Sequence, residues 1–180
     1  MLEAVIVLAI VGLDQLAKYL TDLYLSPLGT SFSLWQGVFH LTSAHNTGAA
    51  FSMLAGNRYF LIGVSALASC AIVYILIRYR KRMHTLLRVC FAVILAGALG
   101  NLIDRVALGY VRDMLDFTLI HFAIFNVADS AVTVGAVLMA FDLLFGRGKT
   151  LLQEADGKKP QNPDAGPEKG GDEQDPGSGE

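Results

Sequence analysis

Charge is scarce in this chain. Only 17% of its 180 residues are Asp, Glu, Lys or Arg, against 53% hydrophobic, and the mean hydropathy is +0.48. Soluble domains carry about a quarter charged residues, so this composition excludes an ordinary soluble fold and points to a membrane protein. Cysteine is scarcer still: Cys70 and Cys90 are the only two, each inside an apolar run and neither in a CxxC or Cys/His spacing. That excludes a disulfide framework or a structural zinc site, and both read as small apolar residues. There is no HExxH and no GxSxG, so neither a zinc hydrolase nor a nucleophile elbow is present. A Ser-Lys dyad would need Lys18, which already has Asp14 and Asp22 as helical neighbours. His40, His45, His84 and His121 are scattered; His45, beside Asn46, reads as an interface residue. No metal, cofactor or nucleic-acid partner is expected.

What the chain does have is long apolar runs. Four stretches, about Ala4 to Leu23, Tyr59 to Ile77, Leu86 to Ile103 and Phe125 to Phe145, approach the roughly 20 residues that cross a bilayer as helix. They predict an all-α membrane protein with four transmembrane helices. The first run lacks a basic leader and an Ala-x-Ala site and continues through Asp14 and Lys18, so it reads as a retained helix. Between the second and third runs lies RYRKRMHTLLR (78 to 88), with five basic residues and no acidic one. Short basic loops stay in the cytoplasm, which places both termini inside and leaves loops of about 24 to 58 and 104 to 124 on the outer face. The first of these alternates around Phe32 and Leu34, breaks at Gln36-Gly37 and resumes at Val38 to Thr42. This is the pattern of a small extracytoplasmic β-hairpin or cradle, with Trp35 suited to the membrane interface and the loop placed to act as a lid. Residues 1–153 carry 11 basic and 8 acidic side chains, a net of +3, and the rest carry 3 and 8, a net of −5. The expected division is a membrane domain over 1–145 and a disordered cytoplasmic tail over 146–180, rich in Gly, Pro and charge.

Helical spacing groups the unusual polar residues. Asn101, Asp104 and Arg105 stand at i, i+3 and i+4, Asn126 and Asp129 at i and i+3, and Asp14, Lys18 and Asp22 at intervals of four. On the predicted topology Asp104, Arg105, Asp113 and Asp116 follow the third helix, Asp129 opens the fourth, Asn46 lies in the other outer loop, and all gather at the outer face. Asp14 and Lys18 read as an intramembrane ion pair that locks the first helix into the bundle, and Arg105 as a clamp among carboxylates. Asp113 and Asp129 at the hydrocarbon boundary would repel, so that one holds a proton while the other stays ionised, the division that activates water against an amide carbonyl. Arg112, beside Asp113, is expected to favour its ionised form. Asp116, one helical turn on, competes with Asp113. Gly97, Ala98 and Gly100 allow either close helix packing or room for an acyl chain. Proton-coupled transporters also use intramembrane carboxylates, and a structural adaptor would tolerate asparagine at 113 and 129. The inner halves of the last three runs are apolar apart from Asp142, which favours a one-sided site.

Five stretches, LDQLAK (13 to 18), HNTGAAFS (45 to 52), GALGNLIDR (97 to 105), GYVRDMLDF (109 to 117) and FNVADSA (125 to 131), resemble in order the motifs of the lipoprotein signal peptidases (signal peptidase II), intramembrane aspartic peptidases of bacteria. The resemblance covers about residues 4 to 145. It implies a four-helix enzyme of the cytoplasmic (inner) membrane with an outer β-cradle, which removes signal peptides from diacylglyceryl-modified prolipoproteins by cleaving before the lipidated cysteine. By motif match it implies Asp113 and Asp129 as the catalytic pair. It further implies Asp14, Lys18, Asn46, Gly48, Asn101, Asp104, Arg105, Asn126 and Ala128 as substrate-binding or site-supporting residues. The implied partners are the prolipoprotein and membrane lipids, with globomycin as an inhibitor and no oligomer required.

Overall fold

The computed structural model describes residues 1–48 and 56–146, so all of the expected tail beyond Gly146 lies outside the described residues. The apolar runs form α1 (Leu2–Tyr24), α2 (Arg58–Tyr79), α3 (Thr85–Ala107) and α4 (Val127–Phe145). Each is long and apolar enough to cross a bilayer, and the chain is a multi-pass membrane protein. The outward faces are apolar: Val5 and Leu8 on α1, Leu67 and Ile77 on α2, Val137 and Phe141 on α4. A helix satisfies its own backbone hydrogen bonds, so such faces can lie against acyl chains at no polar cost.

α3 is the central helix, packed against the other three. It buries Ala92, Leu95, Ala96, Gly97 and Gly100. A methyl group at Gly97 would run into the Ala128 carbonyl and come within 2.6 Å of Val132 Cγ2; one at Gly100 would sit 2.7 Å from Asp14 Oδ2 and 3.0 Å from Ala128 Cβ. Between helices in lipid, where burial of apolar surface supplies no drive, close backbone approach is what holds the pair. Gly97 and Gly100 therefore serve helix packing, and the space beside them is filled by α1 and α4.

At one end of the bundle, Glu3 lies 3.5 Å from Arg80 and 3.4 Å from Arg88, and His84 Nε2 lies 2.9 Å from Asp142 Oδ2. The start of α1, the connection from α2 to α3 and the end of α4 thus share that end. The basic connection is shorter than the sequence indicates, because Tyr79 still belongs to α2 and Thr85 already opens α3.

The other end carries a three-stranded antiparallel sheet of β1 (Ser31–Trp35), β2 (Phe39–Asn46) and β3 (Val111–Asp116), in that spatial order. β1 and β2 are the expected hairpin, pairing Phe32 with Leu41 and Ser33 with His40. β2 continues past the sequence alternation to Asn46. β3 comes from the second long loop and carries no strand pattern of its own; it pairs with β2, setting Asp113 opposite Ala44 and Asp116 opposite His40. Without it, β2 would leave an open row of N–H and C=O groups next to hydrocarbon. The N–H groups of Met114 and Leu115 both donate to the Phe125 carbonyl, and Phe125 N–H donates back to Leu115, which stitches the lead-in of α4 onto β3. Asp104 and Arg105 do not follow the third helix, as expected, but lie inside its last turn.

Candidate active site

The site is assembled at the first turn of α4. Asn126 is its N-cap: Asn126 Oδ1 accepts the Asp129 N–H at 2.8 Å and Asp129 Oδ2 accepts the Asn126 N–H at 3.3 Å, a reciprocal capping box. The cap holds the Asp129 carboxylate against the positive end of the helix dipole. The amide nitrogen of Asn126 remains free to donate, at 2.6 Å to Asp113 Oδ1 and at 3.0 Å to Asn101 Oδ1. Asn101 in turn gives its own Nδ2 to Asp129 Oδ1 at 2.7 Å and accepts from Lys18 Nζ at 3.1 Å. Two asparagines therefore join Asp113 and Asp129 in one network, bringing together β3 and α4.

Asp113 is 2% exposed and Asp129 is half-buried. Burial first, and then the neighbouring Asp129 carboxylate, push Asp113 up to about 7; hydrogen bonds from Asn126 and Asn46 pull against this. Arg112 takes no part, contrary to the sequence expectation. Consecutive strand residues point to opposite faces, and the Arg112 guanidinium turns away to Asp104, Asp22 and Gln15. Asp116 is likewise not one helical turn from Asp113 but three residues along a strand, on the other face, where it accepts from Thr42 Oγ1 at 2.9 Å.

The remaining residues singled out by the motifs surround this pair. Lys18 is fully buried, 2.8 Å from Asp14 Oδ2 and 3.4 Å from Asp104 Oδ2. Asp14 also accepts the Ala128 N–H at 2.9 Å, so one carboxylate pins α1 to the first turn of α4. The ion pair expected between Asp14 and Lys18 is present, and it extends into a wider network. Arg105 donates to the Gly48 carbonyl at 3.0 Å, while the Gly48 N–H donates to Asn46 Oδ1 at 2.9 Å. This ties the end of β2 to α3. The expected clamp of Arg105 is thus on backbone, with Asp129 and Asp113 within electrostatic reach.

Two neighbouring cavities open at this end. The larger, about 590 Å³, is bordered by Asn101, Arg105 and Asp129 among apolar side chains such as Phe122 and Val132. The smaller, about 360 Å³, is bordered by Asp113, His45 and His121. Asn46, Ala123 and Ile124 border both. His45 stacks on Tyr110 with ring centroids 3.8 Å apart.

Gln15 carries no expectation from the sequence, and Arg112 serves Asp104, Asp22 and Gln15 rather than Asp113. Gln15 Nε2 donates to the Gly100 carbonyl and to Asp104 Oδ1, both at 3.2 Å. The signal existed: Gln15 is seven residues before Asp22, two turns along the same helix face, so one cation can bridge the two.

A sequence model of the family described as signal peptidase (SPase) II matches residues 6–145. The chain belongs to the signal peptidase II family. The lipoprotein signal peptidase of Brevibacillus brevis is 47% identical over 134 residues, which cover 74% of this chain and 89% of that protein. That of Caldanaerobacter subterraneus subsp. tengcongensis is 43% identical over 144 residues, covering 80% and 97%. A solved bacterial membrane enzyme is 32% identical, with a TM-score of 0.72 over 89% of this chain and 93% of that one. As a member of the signal peptidase II family the chain is a hydrolase embedded in the membrane, and the matched stretch includes every residue of the network above.

Proposed function

We propose that this signal peptidase II is an aspartic endopeptidase that removes signal peptides from diacylglyceryl-modified prolipoproteins, cleaving before the lipidated cysteine. The observation that carries the reading is the Asp113–Asn126–Asn101–Asp129 network, in which two carboxylates in different environments share a pair of asparagines at the mouth of two cavities. Asp113 is the acid, because burial and its neighbour keep it protonated; Asp129 is the base. Asp129 takes a proton from the attacking water while Asp113 gives its own to the carbonyl oxygen. On collapse the proton held by Asp129 passes to the leaving amine and Asp113 recovers its proton from the hydroxyl. Asn46, Asn101, Asn126 and Arg105 orient the extended substrate backbone. Asp14, Lys18, Asp104, Gly48 and Ala128 hold the elements that carry them.

The catalytic unit is residues 1–145. In our reading the protein lies in the bacterial inner membrane with both termini and the basic 80–84 connection in the cytoplasm and the sheet outside. A diacylglyceryl chain already resides in the outer leaflet, so substrate reaches the site by lateral diffusion. In the same reading no oligomer is required and globomycin inhibits the enzyme.

The test is cleavage of a diacylglyceryl-modified prolipoprotein by purified wild type, Asp113→Asn, Asp116→Asn and Asp129→Asn, each checked for folding. Loss of at least ~10³-fold at 113 and 129, with most activity kept at 116, is the expected result, general acid and base each contributing roughly 10²–10⁴-fold. Full activity of either Asp113→Asn or Asp129→Asn overturns the reading.

A further inference from the structure

Arg112 stands immediately before the proposed acid, and its contacts are unusual in number. The Arg112 backbone N–H donates to Asp104 Oδ2 at 3.0 Å, its Nε to the same oxygen at 3.2 Å and its Nη2 to Asp104 Oδ1 at 2.9 Å. Asp104 is fully buried. Toward α1, Nη1 donates to Asp22 Oδ2 at 3.0 Å and Nη2 also donates to Gln15 Oε1 at 3.0 Å. From the opposite side, Asn126 Nδ2 approaches the Arg112 carbonyl at 3.4 Å while donating to Asp113. Residue 112 is therefore gripped by α1, α3 and the cap of α4 together.

We propose that Arg112 is a positioning residue for cleavage: its bidentate grip on Asp104 sets where β3 presents Asp113 to Asp129. The proposal rests on Asp113 and Asp129 being the catalytic pair. Three facts carry it. Asp104 has two oxygens and three sources of positive charge or N–H from one residue, so side chain and main chain of residue 112 are fixed by a single anchor on a rigid helix. The next residue along the strand is Asp113, so displacing the main chain at 112 displaces the carboxylate attached at 113. Asp104 also lies 3.4 Å from Lys18, whose other partners are Asp14 and Asn101. With Arg112 satisfying Asp104, the Lys18 ammonium stays at Asp14 and Asn101, where its charge reaches both aspartates; without Arg112 the 3.4 Å contact with Asp104 tightens and draws it away from them.

The charged or titratable groups around Asp113 are Asp129 on α4, Lys18 on α1, Arg105 on α3, His45 on β2 and His121 in the connection before α4. The Arg112 variants alter none of these. Arg112→Gln and Arg112→Lys are purified in the full chain and assayed for kcat and KM on a diacylglyceryl-modified prolipoprotein across pH, beside wild type, Asp113→Asn and Asp129→Asn. The expected result for Arg112→Gln is a kcat lowered 10- to 100-fold at near-constant KM, with the pH profile moved to higher pH because the Lys18 charge is drawn away from Asp113. Arg112→Lys keeps the charge but not the fork and is expected to lose at least fivefold in kcat. If Arg112→Gln does not fold, Arg112→Lys alone decides. A kcat and profile within twofold of wild type for Arg112→Lys overturns the proposal. Active Asp113→Asn or Asp129→Asn strikes instead at the catalytic reading beneath it.

Discussion

Asn126 accepts the Asp129 N–H and donates to Asp113 and Asn101, so Asn126→Ala removes a helix cap and unties the two carboxylates in one step. Loss of the cap alone costs ~1 kcal/mol, which thermal unfolding in detergent would register. The loss of cleavage is expected to be far larger, at least ~10²-fold, because the proposed acid is no longer held toward the proposed base. On the proposed mechanism Asp113 supplies the pH dependence. Its proton is retained up to about 7, so kcat/KM is expected to fall as pH rises through that value; a profile flat to pH 9 would remove Asp113 as the acid. The same shift affects stability with a definite sign. Between about 4 and 7 the folded state holds a proton at Asp113 that the unfolded state has lost, so that contribution declines as pH rises through the window. Much at this scale was legible from sequence, since Asp113, Asp129, Asn101 and Asn126 stood out as polar residues at hydrocarbon depth. Arg112 was misread because its direction depends on strand alternation, and nothing in GYVRDMLDF marks it as a strand.

At the scale of elements, the helices were readable because length and apolarity suffice to specify a membrane span, whereas β3 was not. Its strand character lies in its partner β2 and in Phe125, contacts that no local pattern records. The glycines of α3 yield a direct check. Gly97→Val places side-chain carbon where the Ala128 carbonyl and Val132 already sit, and overpacking of this kind costs about 1–3 kcal/mol. A lowered melting temperature together with weakened cleavage is expected, since the first turn of α4 carries Asp129. The β1–β2 hairpin is the other element open to test. All of β1 is exposed, and Trp35 is 68% exposed. Deleting 32–39 is expected to cripple cleavage while the four helices still assemble, measured by activity and by circular dichroism; retained activity would reject a lid role for the hairpin.

For the whole molecule, the ion pairs that join Glu3 to Arg80 and Arg88 and the contact of His84 with Asp142 place both described ends of the chain beside the basic connection. Single cysteines introduced at 82 and at 33 in a background lacking Cys70 and Cys90 are expected to label with impermeant reagent from opposite sides of the membrane, 33 from outside. Labelling of both from one side would contradict the four-span topology. Truncation after Lys149 is expected to leave cleavage intact, because every residue of the network precedes it. The paired cavities bear on inhibition. Asp129 borders one cavity and Asp113 the other, and Asn46, Ala123 and Ile124 border both. A compound confined to one cavity is expected to meet one carboxylate directly and the other only through the asparagines that join them. A ligand that spans both cavities is expected to bind more tightly than one confined to either, and added bulk at Ala123 or Ile124, which border both, is expected to weaken the spanning ligand most.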